Sequence, residues 1–253
     1  PNVGVITNIS YAHIKNFKNL KDIASAKSEL IDNILPGGTF VTNRDDKFYF
    51  YLKKKALNRN LNVISFSRAK KAHIRLIEIN NRNNNKIIKI LYRENIYKFE
   101  ITNELVSYIE NLLGVISVLS IYFDLKKLND KLFLNLKPPK GRGNLSTIKI
   151  KNKSFKLIDE SYNSNPLSLK FSIDRFSSIY TNKNKKIMLL GDMLELGKFS
   201  EKLHQNVSSF INNSDVDKVY VFGKYIRKAF NKIKTQKKGR VLKSIKDVED
   251  FIN

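Results

Sequence analysis

Lys27 carries the most distinctive chemistry in the chain. It stands seven residues after Leu20, four after Ile23 and four before Ile31. At 3.6 residues per turn that spacing puts it on the apolar face of a helix. A lysine there can snorkel its ammonium to solvent along its aliphatic stem. Alternatively it stays inside with a depressed pKa, neutral enough for its amine to react with carbon dioxide. His13 lies in the polar loop that follows the apolar run Val3 to Asn8. Ligands gather at that position in α/β sheets, although a loop histidine can equally be a solvated side chain. The phosphate-loop pattern G-x-x-x-x-G-K-[ST] is missing. Its nearest approximation, Gly191 to Gly197 with Lys198, has five intervening residues and Phe199 where the hydroxyl belongs.

Alternating elements must hold these groups. The apolar run Val3 to Asn8, helical spacing from Leu20 to Ile34 and a strand at Thr39 to Thr42 make a parallel βαβ unit, with Pro36, Gly37 and Gly38 stopping the helix. A helix from about Asp46 to Asn58 and a strand at Asn62 to Phe66 continue the alternation. His73 to Asn80, Lys86 to Arg93 and Ile96 to Ile101 read as an antiparallel meander with a turn at Asn81 to Asn85. Leu105 to Phe123 reads as one long buried helix; Glu110 and Asn111 in its middle argue against a bilayer span.

Pro138-Pro139-Lys140-Gly141-Arg142-Gly143 is a stiff and then flexible linker, which predicts domains at 1–137 and 138–253. Strands at Thr147 to Ile150 and Phe155 to Glu160 follow it, then a helix at Leu167 to Tyr180 and an apolar strand at Lys186 to Leu190. A helix at Ser200 to Asn212, a strand at Lys218 to Phe222 and helices at Lys224 to Lys232 and Ile245 to Ile252 complete a second α/β alternation.

The 253 residues suffice for one large or two ordinary domains, and a 42% hydrophobic content supports a globular chain. With no Cys, structural disulfides and thiolate chemistry are excluded, which fits the cytoplasm. No charged segment followed by an apolar one marks a signal peptide. The net charge of +24 would suit a nucleic-acid partner. However, the basic residues are scattered, and the abundance of Lys, Asn and Ile matches an AT-rich codon bias, so no nucleic-acid or membrane partner is expected.

Four stretches resemble the Mur ligase family. They are Ile6-Thr7-Asn8 with Ala12-His13, Ala24-Ser25-Ala26-Lys27-Ser28-Glu29, Asp159-Glu160-Ser161-Tyr162-Asn163-Ser164-Asn165-Pro166, and Leu190-Gly191-Asp192-Met193-Leu194-Glu195-Leu196-Gly197. The last two are similar to the branch that adds D-alanyl-D-alanine to a UDP-N-acetylmuramoyl-tripeptide. This resemblance implies an α/β fold comprising the second half of a central ATPase domain and a Rossmann-like C-terminal domain. It also implies ATP and Mg²⁺ as cofactors, and a monomer.

Residue by residue, the resemblance implies Lys27 as a carbamate and His13 at a magnesium site. Asn43, in Thr42-Asn43-Arg44-Asp45-Asp46, would lie near the nucleotide, or the segment is a helix cap with Asp45 as acceptor. Arg142 would reach the ATP phosphates through its paired donors, or is a solvated linker charge. Glu160 would meet the ribose, where many relatives have Asp. Tyr162, Asn163 and Asn165 would face the phosphates and the dipeptide, unless Asn165 and Pro166 simply start a helix. Asp192 or Glu195 would touch substrate while the other caps a helix.

Ser107 departs from the family, in which His stands four residues before the match of Asn111. The family's phosphate loop and UDP-sugar domain are expected upstream and a Lys-Gly-Ser-Arg element downstream, so these residues alone are expected not to ligate. Two rivals stand beside this reading: a related ligase such as the folate polyglutamylating enzyme, and a non-enzymatic basic nucleic-acid-binding module.

Overall fold

Short β-rich runs and longer 3.6-periodic runs alternate through the first half of the chain, and they fold accordingly. The computed structural model describes residues 1–11, 17–151, 153–179 and 184–252. Strands β1 (Val3–Ile6), β2 (Thr39–Asn43) and β3 (Asn62–Ser67) pair in parallel. Helices α1 (Leu20–Asp32) and α2 (Tyr49–Asn58) connect them. Asn19 starts α1 by accepting hydrogen bonds from the amides of Lys21 and Asp22, two of the donors every helix start leaves without partners. Helix α2 begins three residues later than the sequence predicts. The reason is local: the Asp46 carboxylate accepts the amide of Phe48, holding Asp46 in a turn ahead of the helix.

The meander forms as β4 (Ile74–Arg82), β5 (Asn85–Tyr92) and β6 (Asn95–Thr102). It is not a separate layer. Phe66 and Ser67 of β3 pair in parallel with Ile74 and Arg75 of β4, which merges everything into one six-stranded sheet ordered β1 to β6. Arg93 and Glu94 form the two-residue connection from β5 to β6 with φ of 47° and 65°. That pair of positive values belongs to a type I′ turn, whose twist matches a hairpin even without glycine.

The predicted long helix is divided. Asn103–Tyr108 makes a 3₁₀ turn, and α3 (Ile109–Tyr122) follows. Asn103–Tyr122 has the length and composition of a membrane span. Here it buries Ile109, Leu112, Leu113 and Ile116 in the core with Phe66, Ile74, Ile88 and Phe99. Burying side chains of this size contributes about 1.5–3 kcal/mol each, which makes this cluster the main stabilising feature of the unit.

The chain divides into two compact units, the first Pro1–Ser10 with Lys18–Pro138 and the second including Pro139–Asn253. In the second, β7 (Asn144–Ile150) and β8 (Lys153–Asp159) form an antiparallel pair of their own. Next come α4 (Pro166–Ser178), β9 (Ile187–Gly191), α5 (Ser200–Asn212), β10 (Lys218–Phe222) and α6 (Ile226–Asn231), then β11 (Lys238–Leu242) and α7 (Ile245–Ile252). Strands β9, β10 and β11 make a parallel sheet ordered β11-β10-β9. Sequence reasoning missed β11, because Lys-Gly-Arg-Val-Leu lacks an alternating pattern. The apolar strand β9 leaves one face open: Ile187 and Leu189 are both 43% exposed. Lys186 before it is buried, its Nζ bonded to the Ser177 carbonyl and the Asp215 carboxylate.

Asp192 follows β9 and secures the second unit. Its carboxylate accepts the amides of Lys224 (2.8 Å), Tyr225 (3.0 Å) and Ile226 (2.7 Å), the turn leading into α6 and its first residue. A negative charge at a helix start is also favoured by the aligned peptide dipoles. Gly223 permits this approach, since a Cβ there would lie 2.5 Å from the Asp192 carboxyl and its φ is +142°. Asp192→Ala strands these donors and should lower stability by about 1–3 kcal/mol, read as a shifted denaturation midpoint. An unchanged midpoint would contradict this role.

Candidate active site

The parallel strands of the first unit end at one edge, where loops rather than ladders must satisfy the backbone. There the peptide group joining Asn8 and Ile9 is held at both ends. Its carbonyl accepts Lys27 Nζ at 3.0 Å, and its N–H donates to Asp46 Oδ2 at 2.6 Å. The cation meets the negative end of the peptide dipole and the anion the positive end. Burial pushes the Lys27 ammonium below the ordinary lysine range, and the Asp46 charge opposes that shift. The expectation of an inward-facing Lys27 needs correction. The buried residues of α1 are Ile23, Ala24, Ser28 and Ile31, while Lys27 sits at the rim with its side chain exposed and only its ammonium tucked against the loop.

Asn43 is buried at the end of β2, and its Oδ1 accepts the Asp45 amide at 2.8 Å. Its side-chain oxygen is therefore committed to its own turn. Asp45 does not cap α2, contrary to the alternative drawn from sequence. Its carboxylate accepts the Ser67 hydroxyl (2.8 Å) and the Arg68 amide (2.7 Å), tying the end of β2 to the end of β3. Arg44 lies over the rings of Tyr49 (4.4 Å) and Phe50 (4.5 Å). Glu110, in the first turn of α3, is raised above the usual carboxylate range by burial. Arg68, 3.9 Å away, opposes this, and Asp45 and Asp46 reinforce it.

Sequence reasoning gave no role to Asp46 or Glu110. Asp46 was visible inside the quoted Asn43 to Asp46 run, whereas nothing in the sequence placed Glu110 beside Arg68. His13 lies outside the described residues. Among the described residues no three His, Cys, Asp or Glu side chains gather to hold a metal. Lys27 as an ammonium donates rather than ligates, so these residues fit a hard cation only if Lys27 becomes a carbamate with anionic oxygens.

In the second unit the structure brings Arg142, Glu160 and Tyr162 together. The Arg142 guanidinium stands 4.5 Å over the Tyr162 ring, and the Tyr162 amide donates to the Gly141 carbonyl at 3.0 Å. Tyr162 is 67% exposed despite this contact, leaving its ring open to a ligand. Burial raises the Glu160 carboxyl above its usual range, and the Arg175 charge opposes it.

Asn163 is exposed in the turn that follows. Asn165 accepts the amides of Leu167 and Ser168 and caps α4, with Ser168 Oγ returning the contact to the Asn165 amide. Asp192 also serves as a cap, of α6 rather than of the helix next in sequence. The substrate contacts expected of Asn165 and Asp192 therefore compete with committed backbone bonds. Buried His204 was also missed: its Nε2 accepts the Met193 amide at 2.8 Å, and its Nδ1 lies 2.6 Å from the Ser200 carbonyl. Asp192 Oδ1 lies 3.8 Å from the same Nε2.

Comparisons with known proteins agree with this architecture. Residues 1–119 match the Mur ligase middle domain and residues 145–253 the Mur ligase glutamate ligase domain. The chain is 26% identical to the UDP-N-acetylmuramoyl-tripeptide--D-alanyl-D-alanine ligase of Rickettsia prowazekii, over 98% of this chain and 54% of that protein. A crystal structure of MurF from Acinetobacter baumannii superposes with a TM-score of 0.80 at 22% identity, covering 100% of this chain and 53% of the other. MurF ligase from Thermotoga maritima in complex with ADP gives 0.75 at 22% identity, covering 100% and 55%. The chain thus spans about half the length of the relatives it matches. Two successive domains of one enzyme family, matched in order along most of its length, make this chain a member of the Mur ligase family.

Proposed function

We propose that this chain is part of an ATP-dependent ligase that joins D-alanyl-D-alanine to the terminal carboxylate of a UDP-N-acetylmuramoyl-tripeptide in peptidoglycan precursor synthesis. In this reading ATP phosphorylates the carboxylate, and the dipeptide amine displaces phosphate from the acyl phosphate. The observation that carries the proposal is the pair of family matches, combined with relatives named for that reaction. The Asp159 to Pro166 turn and the Leu190 to Gly197 segment favour the dipeptide-adding branch over a folate-type ligase.

Within this reading the residues divide by what the geometry leaves available. Lys27 has a lowered pKa and hence a larger neutral fraction at a given pH, the form that takes up carbon dioxide. As a carbamate, with His13, it would hold magnesium, which supplies charge stabilisation to phosphoryl oxygens. Arg142 offers paired donors to phosphate and Tyr162 an exposed ring, while Glu160 offers a carboxylate to ribose. Asn43 would act near the nucleotide through its amide nitrogen, since its oxygen is bound. Asn163 is an exposed side chain of its turn, open to substrate, whereas Asn165 and Asp192 hold the turn and α6 in place.

Two experiments test this in the complete ligase carrying these residues. Lys27→Ala should cut turnover by about 10²-fold or more, the scale of losing one preorganised electrostatic group, and added formate or acetate should restore part of it. A rate equal to that of the unaltered enzyme would refute the carbamate role. A screen of amino acceptors should give ATP-dependent ligation with D-alanyl-D-alanine and none with glutamate or L-alanine. Preference for glutamate would replace the proposed function by the folate-type one.

A further inference from the structure

Arg175, on α4, has no part in the reading above, yet it contacts Glu160 and the residue that follows Arg142. Its Nη2 donates to the Gly143 carbonyl at 3.2 Å, and its Nη1 lies 3.7 Å from Glu160 Oε1. Nη1 is buried and makes no hydrogen bond. The packing is tight: a Cβ on Gly143 would come within 2.4 Å of Arg175 Nη1 and 2.8 Å of Glu160 Oε1, and φ there is +78°. Only glycine lets the guanidinium, the linker backbone and the carboxylate meet at this point. The Gly143 amide donates in turn to the Asp159 carbonyl at 2.7 Å, so the residue after Arg142 is pinned to the one before Glu160.

The longer Glu side chain needs such a support. A half-buried carboxylate without a cation beside it tends to take up a proton and stops acting as a two-oxygen acceptor. The charged and polar groups facing Glu160 are Arg175 and Ser172 from α4, Asp159 from β8 and Arg142 from the linker. Of the two cations, Arg175 exerts the larger effect on Glu160. Resting on the proposed nucleotide role of Glu160, we infer that Arg175 is a positioning residue, fixing the Glu160 carboxylate against Gly143 as an acceptor for the vicinal hydroxyls of a nucleotide sugar. It touches neither nucleotide nor substrate and acts through Glu160.

The test uses the complete ligase, with steady-state kinetics for each substrate and a melting curve for each variant. Arg175→Met should raise KM for ATP about tenfold, while kcat and KM for D-alanyl-D-alanine stay within about twofold. Arg175→Lys, which keeps the charge but not the fork, should recover part of that loss. In Arg175→Met, KM for ATP should climb further as pH falls from about 8 to about 6, because Glu160 protonates sooner without its cation, and the unaltered enzyme should change little. Adding Arg175→Met to Glu160→Gln should cost nothing beyond Glu160→Gln alone. An unchanged KM for ATP across that range, or additive losses in the double variant, would overturn the inference. If Arg175→Met fails to fold, the Arg175→Lys and Glu160→Gln cycle decides by the same criterion. Failure of the unaltered enzyme to ligate D-alanyl-D-alanine would sink the functional reading instead, which this set of variants keeps separate.

Discussion

The peptide group between Asn8 and Ile9 is the constraint on which the first unit's candidate site depends. Lys27 holds its oxygen and Asp46 its hydrogen, so two opposite charges grip one dipole from its two ends. At this edge the Lys27 ammonium carries a desolvation cost that lowers its pKa, and the Asp46 charge offsets part of it. Together they fix the loop after β1, and the second Asp46 oxygen fixes the entry to α2 through Phe48. Asp45 does the same between β2 and β3. The carboxyl edge of the sheet is thereby knitted by side chains where the strand ladders end.

The second unit uses carboxylates differently. Asp192 is spent on the entry to α6, next to a histidine whose two ring nitrogens are both engaged with backbone. Asn165 is spent on α4. At the linker stand the exposed Tyr162 ring and the Glu160 carboxylate, which is paired with Arg175. The polar residues of the Asp159 to Pro166 and Leu190 to Gly197 stretches thus separate into scaffold and working groups only once their partners are known.

Much of the fold was legible because it rests on local signals. The 3.6-residue spacing of Leu20, Ile23 and Ile31, the Pro36-Gly37-Gly38 stop and the alternating runs of the meander each encode one element. The misses were non-local or weakly patterned. Strand β11 is held by parallel pairing to β10 and has no pattern of its own. The junction of β3 and β4 rests on Phe66 and Ser67 meeting Ile74 and Arg75. For the site, spacing on its helix flagged Lys27, whereas Arg142, Glu160 and Tyr162 were flagged only by the resemblance to Mur ligase motifs. Spacing along α1 could not show that Lys27 stands at the rim, because helix geometry gives a face and not the height of the loop above it. Arg175 was invisible for the same reason: its partners lie 15 and 32 positions away in sequence.

In the proposed reading the Lys27 amine, held at the Asn8 carbonyl with a lowered pKa, is the group that takes up carbon dioxide. Carbon-13 NMR of the chain equilibrated with ¹³C-bicarbonate tests it without requiring turnover. One slowly exchanging carbamate resonance that disappears in Lys27→Arg is expected. A spectrum with no such resonance, or one that Lys27→Arg leaves unchanged, would contradict it.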